Sequence, residues 1–195
     1  MTTILLARHG ETDWNRDQRF QGHADPPLND HGREQARNLA VRFAADPEPL
    51  AAIYASTLRR ARETAKIVGE HLGLHVETHD GLREVDLGSW SGLTRAEVEH
   101  AFPEGFRRWL DFGPGWEGGE TYEQMGERVV ATLLEIASRH PDGRILVVTH
   151  GGPVRAAQAS SAGISIADAR RQMPVVGNCA VSDFAVQDGR LLAID

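Results

Sequence analysis

Two short apolar runs in this chain break off at the same kind of step. Residues 4–7 (Ile-Leu-Leu-Ala) run straight into Arg8-His9-Gly10, and the Ile-Leu-Val-Val inside residues 144–149 runs into His150-Gly151-Gly152. A brief, unalternated apolar run closed by turn-forming residues reads as a strand buried on both faces. Residues 50–55 and 74–78 read as two further strands, and the stretches between carry helical spacing. Asn29 is a plausible N-cap for a helix with Ala36, Leu39, Ala40 and Phe43 on one face, stopped by Asp46-Pro47. Ser56 is placed to cap the next helix, where Leu58, Ala61, Ala65, Val68 and Leu72 recur, and Gly73 sits where a C-terminal glycine belongs. Thr94-x-x-Glu97 and Thr121-x-x-Gln124 read as capping boxes. The second opens a long helix with Met125, Val129, Leu133, Ile136 and Ala137 inward.

After a turn at Pro141-Asp142-Gly143, Pro153 suits a first helical turn, and Ser165-x-x-Asp168 starts a short helix. Residues 178–186 and 191–194 flank Gln187-Asp188-Gly189-Arg190, a hairpin pattern. Strands alternating with helices imply an α/β fold with a mostly parallel sheet covered on both faces. The chain has 195 residues, 41% of them hydrophobic, enough for one domain with a real core. Residues 102–119 stand apart. They are rich in glycine and aromatics (Phe102, Phe106, Trp109, Phe112, Trp116) and are expected to form a surface excursion over the sheet edge, lid-like, not a second domain.

Ligands of open α/β sheets bind beyond the carboxyl ends of the strands. Here the first strand delivers Arg8 and His9 to that rim, the second leads to Arg59 and Arg60, the third to Arg83 and Glu84, and the fourth delivers His150. Singly, each has a plain structural reading: a hydrogen-bonded loop histidine, the solvated face of a helix, a surface carboxylate. Together they suit phosphoryl transfer without a metal. A neutral imidazole can attack phosphorus, guanidiniums pair with phosphate oxygens, and a carboxyl group can protonate the leaving oxygen and then activate water.

Other chemistries fit less well. No G-x-x-x-x-G-K-[ST] is present, and Ser89-Trp90-Ser91-Gly92 is not a nucleophile elbow. His71, His75 and His79 are spaced by four, but Gly73 interrupts that helix. Cys179, the single cysteine, falls inside an expected strand and has no evident activating partner. A net charge of -7 argues against a nucleic-acid binder and does not exclude an anionic substrate, because a few arginines can dominate one cleft. No leader or membrane span is read, and a reducing, cytoplasmic setting is expected.

Leu6-Ala7-Arg8-His9-Gly10-Glu11-Thr12-Asp13-Trp14-Asn15 resembles the opening motif of the histidine phosphatase superfamily, in its phosphoglycerate-mutase-like branch (branch 1). The resemblance continues, in the family's order, through Phe20-Gln21-Gly22, Leu28-Asn29-Asp30-His31-Gly32-Arg33-Glu34-Gln35-Ala36 and Ser56-Thr57-Leu58-Arg59-Arg60-Ala61. It ends with Leu82-Arg83-Glu84, Gly88-Ser89-Trp90-Ser91-Gly92, Gly118-Gly119-Glu120-Thr121 and Val148-Thr149-His150-Gly151-Gly152.

The resemblance implies a three-layer α/β/α sandwich. It makes His9 the phosphorylated nucleophile and puts Arg8, Arg60 and His150 around the phosphate, Arg60 being chosen over Arg59 because the family's Arg-Ala pair falls on Arg60-Ala61. It makes Glu84 the proton donor and later base. Asn15, Gly151 and the Gln21-Gly22 backbone would add contacts to phosphoryl group or substrate. No metal and no cofactor is expected.

The implied activity is hydrolysis of small phosphomonoesters through a phosphohistidine. The alternatives are a cofactor-dependent mutase and a catalytically silent phosphate-binding module. Mutases are longer and carry an Arg-His-Tyr-Gly-like segment after the glutamate, where this chain has Val85-Asp86-Leu87-Gly88. The partner expected is a small phosphorylated molecule, not nucleic acid or membrane, with a homodimer left open. Within 102–119, Arg107 and Arg108 are expected to reach a second anionic group on the substrate; the alternative is that Phe106 and Trp109 pack a short amphipathic helix on the core.

Overall fold

The computed structural model describes residues 1–194. Strand β1 (Thr2–Arg8) leads into a short helix α1 (Asp13–Arg16) and helix α2 (Asp30–Ala44). Strand β2 (Ala52–Ser56), helix α3 (Arg59–Leu72) and strand β3 (Val76–His79) follow. Helices α4 (Arg95–Ala101), α5 (Pro103–Leu110) and α6 (Tyr122–Ser138) then precede strand β4 (Arg144–Thr149). Helices α7 (Gly151–Ala162) and α8 (Ile166–Gln172) and the hairpin β5 (Val181–Gln187) and β6 (Arg190–Ala193) complete the order.

The strands form one sheet in the order β3-β2-β4-β1-β5-β6. The first four are parallel, and the β5–β6 hairpin adds antiparallel at the β1 side. This mixed α/β sandwich agrees with the expected fold class, with the antiparallel edge as its departure from a purely parallel sheet.

Alternation along the strands fixes the two cores. Leu5, Ala7, Ile53, Ala55, Leu146 and Val148 face one way and pack on α2 and α3 through Leu39, Phe43, Ala61, Ala65 and Val68. Ile4, Leu6, Tyr54, Ile145 and Val147 face the other way, onto Met125, Val129, Leu133 and Ile136 of α6 and Val154 and Ala157 of α7. Each fully buried aliphatic side chain contributes about 1.5–3 kcal/mol, and both faces are covered, so the register cannot slip without exposing one set.

The expected caps form. Asn29 accepts from Gly32 N–H, Thr94 and Thr121 close capping boxes, Ser165 accepts from Asp168 N–H, and Gly73 ends α3 at a left-handed φ of 69°.

Two local expectations are corrected. Ser56 does not cap α3, whose N-cap is Leu58 with no side-chain cap bond; Ser56 ends β2 and is fully buried. Cys179 lies before β5, not within it, at φ 55°. For residues 102–119 the short helix of the alternative reading is present as α5, with Pro103 in its first turn. Phe106 and Trp109 from that helix, with Trp116 beyond it and Phe20, surround the fully buried Trp90 at ring-centroid distances of 5.1 to 6.4 Å.

Candidate active site

The β1–β4 register pairs Arg8 with Thr149, so the next residue of each strand, His9 and His150, leaves the sheet at one level. Their rings meet edge to face at 5.2 Å. His9 N–H donates to Thr149 O at 2.9 Å, and Gly10 N–H donates to Thr64 Oγ1 at 3.0 Å. Gly10 lies so close to Gly32, in the first turn of α2, that a Cβ on Gly10 would come 2.4 Å from the Gly32 carbonyl oxygen. Two glycines are therefore needed to seat the His9 loop.

The tautomer of His9 follows from its partners. Arg60 Nε–H donates to His9 Nε2 at 3.2 Å, so the ring proton sits on Nδ1 and donates to the Gly10 carbonyl at 2.6 Å. Burial, with the charges of Arg60 and Arg8, pushes the imidazole well below its ordinary 6.5 against the opposing Gly10 bond, which keeps it neutral. Nε2 thus carries a lone pair at the mouth of a cationic pocket.

Arg60, 1% exposed, also donates to Ala24 O and Gly22 O at 2.8 and 2.9 Å. Burial brings its guanidinium down to about 10, with Glu84 and Asp25 opposing. It remains charged at neutral pH. Arg59, its neighbour, is exposed.

Arg8 Nη1 donates to Val176 O at 2.6 Å, while its Nε–H is buried without a partner. His150 is fully buried, its Nε2 facing Ser56 Oγ at 2.8 Å. The buried Ser56 hydroxyl has no other acceptor among the described residues, so it donates to Nε2, and the His150 proton lies on Nδ1, which is buried and unpartnered. Burial and the Arg60 charge also hold His150 well below 6.5.

Two orphaned buried donors, Arg8 Nε and His150 Nδ1, therefore belong to the residues that flank His9. A buried donor left without an acceptor costs about 1–3 kcal/mol, a strain that an anion relieves.

Glu84 follows β3 and the 3-10 turn Asp80–Leu82. Its carboxylate accepts from Val85 N–H at 2.9 Å and from Gly152 N–H, in the first turn of α7, at 3.2 Å. A clamp missed in the sequence holds this loop. Arg128 of α6 donates to the carbonyls of Gly81, Arg83 and Glu84 at 2.9, 3.0 and 3.3 Å. Its other bonds grip Glu120 side-on at 2.8 and 2.6 Å, so all five N–H groups are used. His23 Nε2 adds a bond to Glu84 O at 2.8 Å.

A cavity of about 410 Å³ opens above His9, lined by Arg8, Asn15, Gln21, Gly22, Arg60, Glu84 and Gly151 among others. Asn15 Oδ1 is engaged by Thr12 and Asn178, which leaves its amide N–H groups for a ligand. The structure thus gathers eight of the nine expected site residues around this cavity, while the fully buried His150 does not line it and meets the site through its ring contact with His9.

It does not bring Arg107 and Arg108 there. Both are exposed outside the cavity, because they lie on the outer side of α5. The cavity arginines beyond the phosphate group are Arg19, Arg95, Arg155 and Arg170, none of which the sequence singled out. Among the described residues no group of three or more His, Cys, Asp or Glu is placed to hold a metal ion, His71, His75 and His79 included. Cys179 N–H donates to Arg8 O, and burial pushes its thiol up to about 12, so it stays protonated and unreactive.

Residues 4–193 match the histidine phosphatase superfamily (branch 1), and the chain belongs to that family. The chain is 36% identical over 193 residues to phosphoglycerate mutase-like protein 4 of Arabidopsis thaliana, covering 95% of this chain and 80% of that one. It is 36% identical over 168 residues to phosphoserine phosphatase 1 of Hydrogenobacter thermophilus, covering 85% and 79%. Among solved structures, Bacillus stearothermophilus YhfR superposes with a TM-score of 0.90 at 32% identity, covering 99% of this chain and 95% of that one. A mycobacterial glucosyl-3-phosphoglycerate phosphatase complexed with VO3 superposes at 0.85 with 30% identity, covering 97% and 95%.

Proposed function

We propose that this protein is a metal-independent phosphatase of small phosphomonoesters that works through a phosphohistidine on His9. The observation that carries the reading is the neutral His9, its Nε2 lone pair held beside Arg60 and flanked by residues with unpartnered buried donors, Arg8 Nε and His150 Nδ1. Relatives named as phosphoserine and glucosyl-3-phosphoglycerate phosphatases support the hydrolase class.

In the first step His9 Nε2 bonds to phosphorus as the bond to the leaving oxygen breaks, and the Glu84 carboxyl gives that oxygen its proton. The Gly10 carbonyl, bonded to Nδ1–H, offsets positive charge developing on the ring. Arg8, Arg60 and His150 hold the phosphoryl oxygens, joined by Asn15, Gly151 and the Gln21-Gly22 backbone. In the second step the Glu84 carboxylate takes a proton from water, the water oxygen bonds to phosphorus, and the Nε2–phosphorus bond breaks to release phosphate. The α5 segment, through Trp109 and Phe112, forms the cavity wall that selects substrate and acts as a partial lid.

The test is release of phosphate from p-nitrophenyl phosphate in EDTA. Turnover there supports the phosphatase. Interconversion of 2- and 3-phosphoglycerate with little phosphate released would favour the mutase, and ligand binding with no turnover would favour the silent module.

A further inference from the structure

Six of the chain's 21 Lys and Arg side chains line one cavity, in a protein of net charge -7, and Glu84 is the single carboxylate among its lining residues. Arg8 and Arg60 suffice for a phosphoryl group. The cationic excess includes Arg155 of α7 and Arg170 of α8, which line the cavity with Tyr122 at the start of α6.

Both arginines are half-buried and fixed in place. Arg170 donates to Phe112 O and Trp109 O at 2.6 and 3.2 Å, and its guanidinium lies 4.4 Å from the Tyr122 ring centroid. Arg155 donates to Ala169 O, Met173 O and Pro174 O at 3.0 to 3.2 Å.

Carbonyls orient these forks without neutralising them. Neither has a carboxylate partner within 4 Å among the described residues. Burial lowers the affinity of both for their protons, and the nearby Arg170 charge lowers that of Arg155 further. Two like charges held together at a desolvated wall are costly unless an anion joins them. Each guanidinium keeps N–H groups beyond those spent on carbonyls.

We propose that Arg155 and Arg170 form a second oxyanion subsite, so that the substrates are phosphomonoesters bearing a further anionic group, a carboxylate or a second phosphate. The cavity volume, within the range that encloses small organic ligands, leaves room for such a group beside the phosphoryl. This rests on the hydrolase reading above and extends it from reaction to substrate class.

The test compares pairs that differ in the second charge. 3-Phosphoglycerate against glycerol 3-phosphate exchanges a carboxylate for a hydroxymethyl group; fructose 1,6-bisphosphate against fructose 6-phosphate adds a second phosphate. The wild type is expected to favour the doubly anionic member of one pair roughly 10–100-fold in kcat/KM, mostly through KM, as a charge-assisted contact implies. The pair that shows the preference identifies the anion.

Arg155→Gln and Arg170→Gln should collapse that ratio, whereas Arg170→Lys, which keeps the charge, should restore part of it. A merely structural role would make Gln and Lys alike and leave the ratio intact. If neither variant folds, the wild-type ratio and its fall with added salt decide the matter. A wild type that hydrolyses p-nitrophenyl phosphate but shows no preference in either pair overturns the subsite alone. A wild type inactive on every ester overturns the hydrolase reading, and the subsite with it.

Discussion

Replacing Gly152 with alanine places a methyl group where the Glu84 carboxylate lies. A Cβ at this position would come 2.1 Å from Glu84 Oε1 and 3.2 Å from both Glu84 Cδ and Met125 Sδ. Ordinary contact begins at 3.4 Å, so the carboxylate must retreat by about 1.3 Å, the difference between the two distances. Helical backbone accepts alanine, so the fold is expected to survive. A misplacement of about 1 Å costs roughly 10²-fold, within the roughly 10²–10⁴ that general acid–base catalysis provides. The burden falls on substrates whose leaving group needs a proton. The first step with an alkyl phosphate should slow roughly 10²-fold, whereas the pre-steady-state burst of p-nitrophenolate should keep a rate near wild type, because that phenolate leaves unaided. Equal losses on both substrates, or none, would refute the placement of Glu84 as the acid.

The Arg128 clamp gives a second test. Arg128→Ala leaves Glu120 and three carbonyls without their donor and should cost about 2–4 kcal/mol in denaturant unfolding. Arg128→Lys should restore little of it, since a single ammonium cannot reproduce the five-bond fork. A third prediction concerns pH. His9 and His150 are both held below 6.5, so the unfolded chain binds more protons than the native one as pH falls through 6.5. Stability is then full above that value and falls by up to about 1.4 kcal/mol per pH unit for each histidine below it. His150→Gln should reduce the slope between about pH 5 and 6.5; an unchanged slope would mean that His150 titrates normally in the native state.

Much of the architecture was legible because buried parallel strands must be apolar throughout and helices must repeat on one face. The rim location of His9, Glu84 and His150 followed from strand ends, and their roles from the family motif. What escaped needed tertiary context. Ser56 looked like a helix cap because serine before a helix usually is one, yet the β2–β4 pairing turns its hydroxyl onto His150, 94 positions away. Helix α5 was legible only as the alternative reading of 102–119, because Pro103 and Gly105 interrupt a stretch in which Phe102, Phe106 and Trp109 keep helical spacing. Arg155 and Arg170 reach the cavity because of how α7 and α8 dock. Arg107 and Arg108 share α5 with Trp109 yet point away from it, a matter of helical phase that composition does not reveal.

The proposed mechanism turns on a phosphoryl group carried on His9 Nε2. Rapid mixing with 3-phosphoglycerate or p-nitrophenyl phosphate, an alkaline quench to spare the acid-labile bond, and mass spectrometry of the peptides reads it directly. A single added phosphoryl group is expected on the peptide containing His9, with a His9→Ala variant that folds, carries no label and turns over no ester. Label on a different residue, or a His9→Ala variant keeping more than roughly a tenth of wild-type turnover where loss of a nucleophile should remove orders of magnitude, would contradict it.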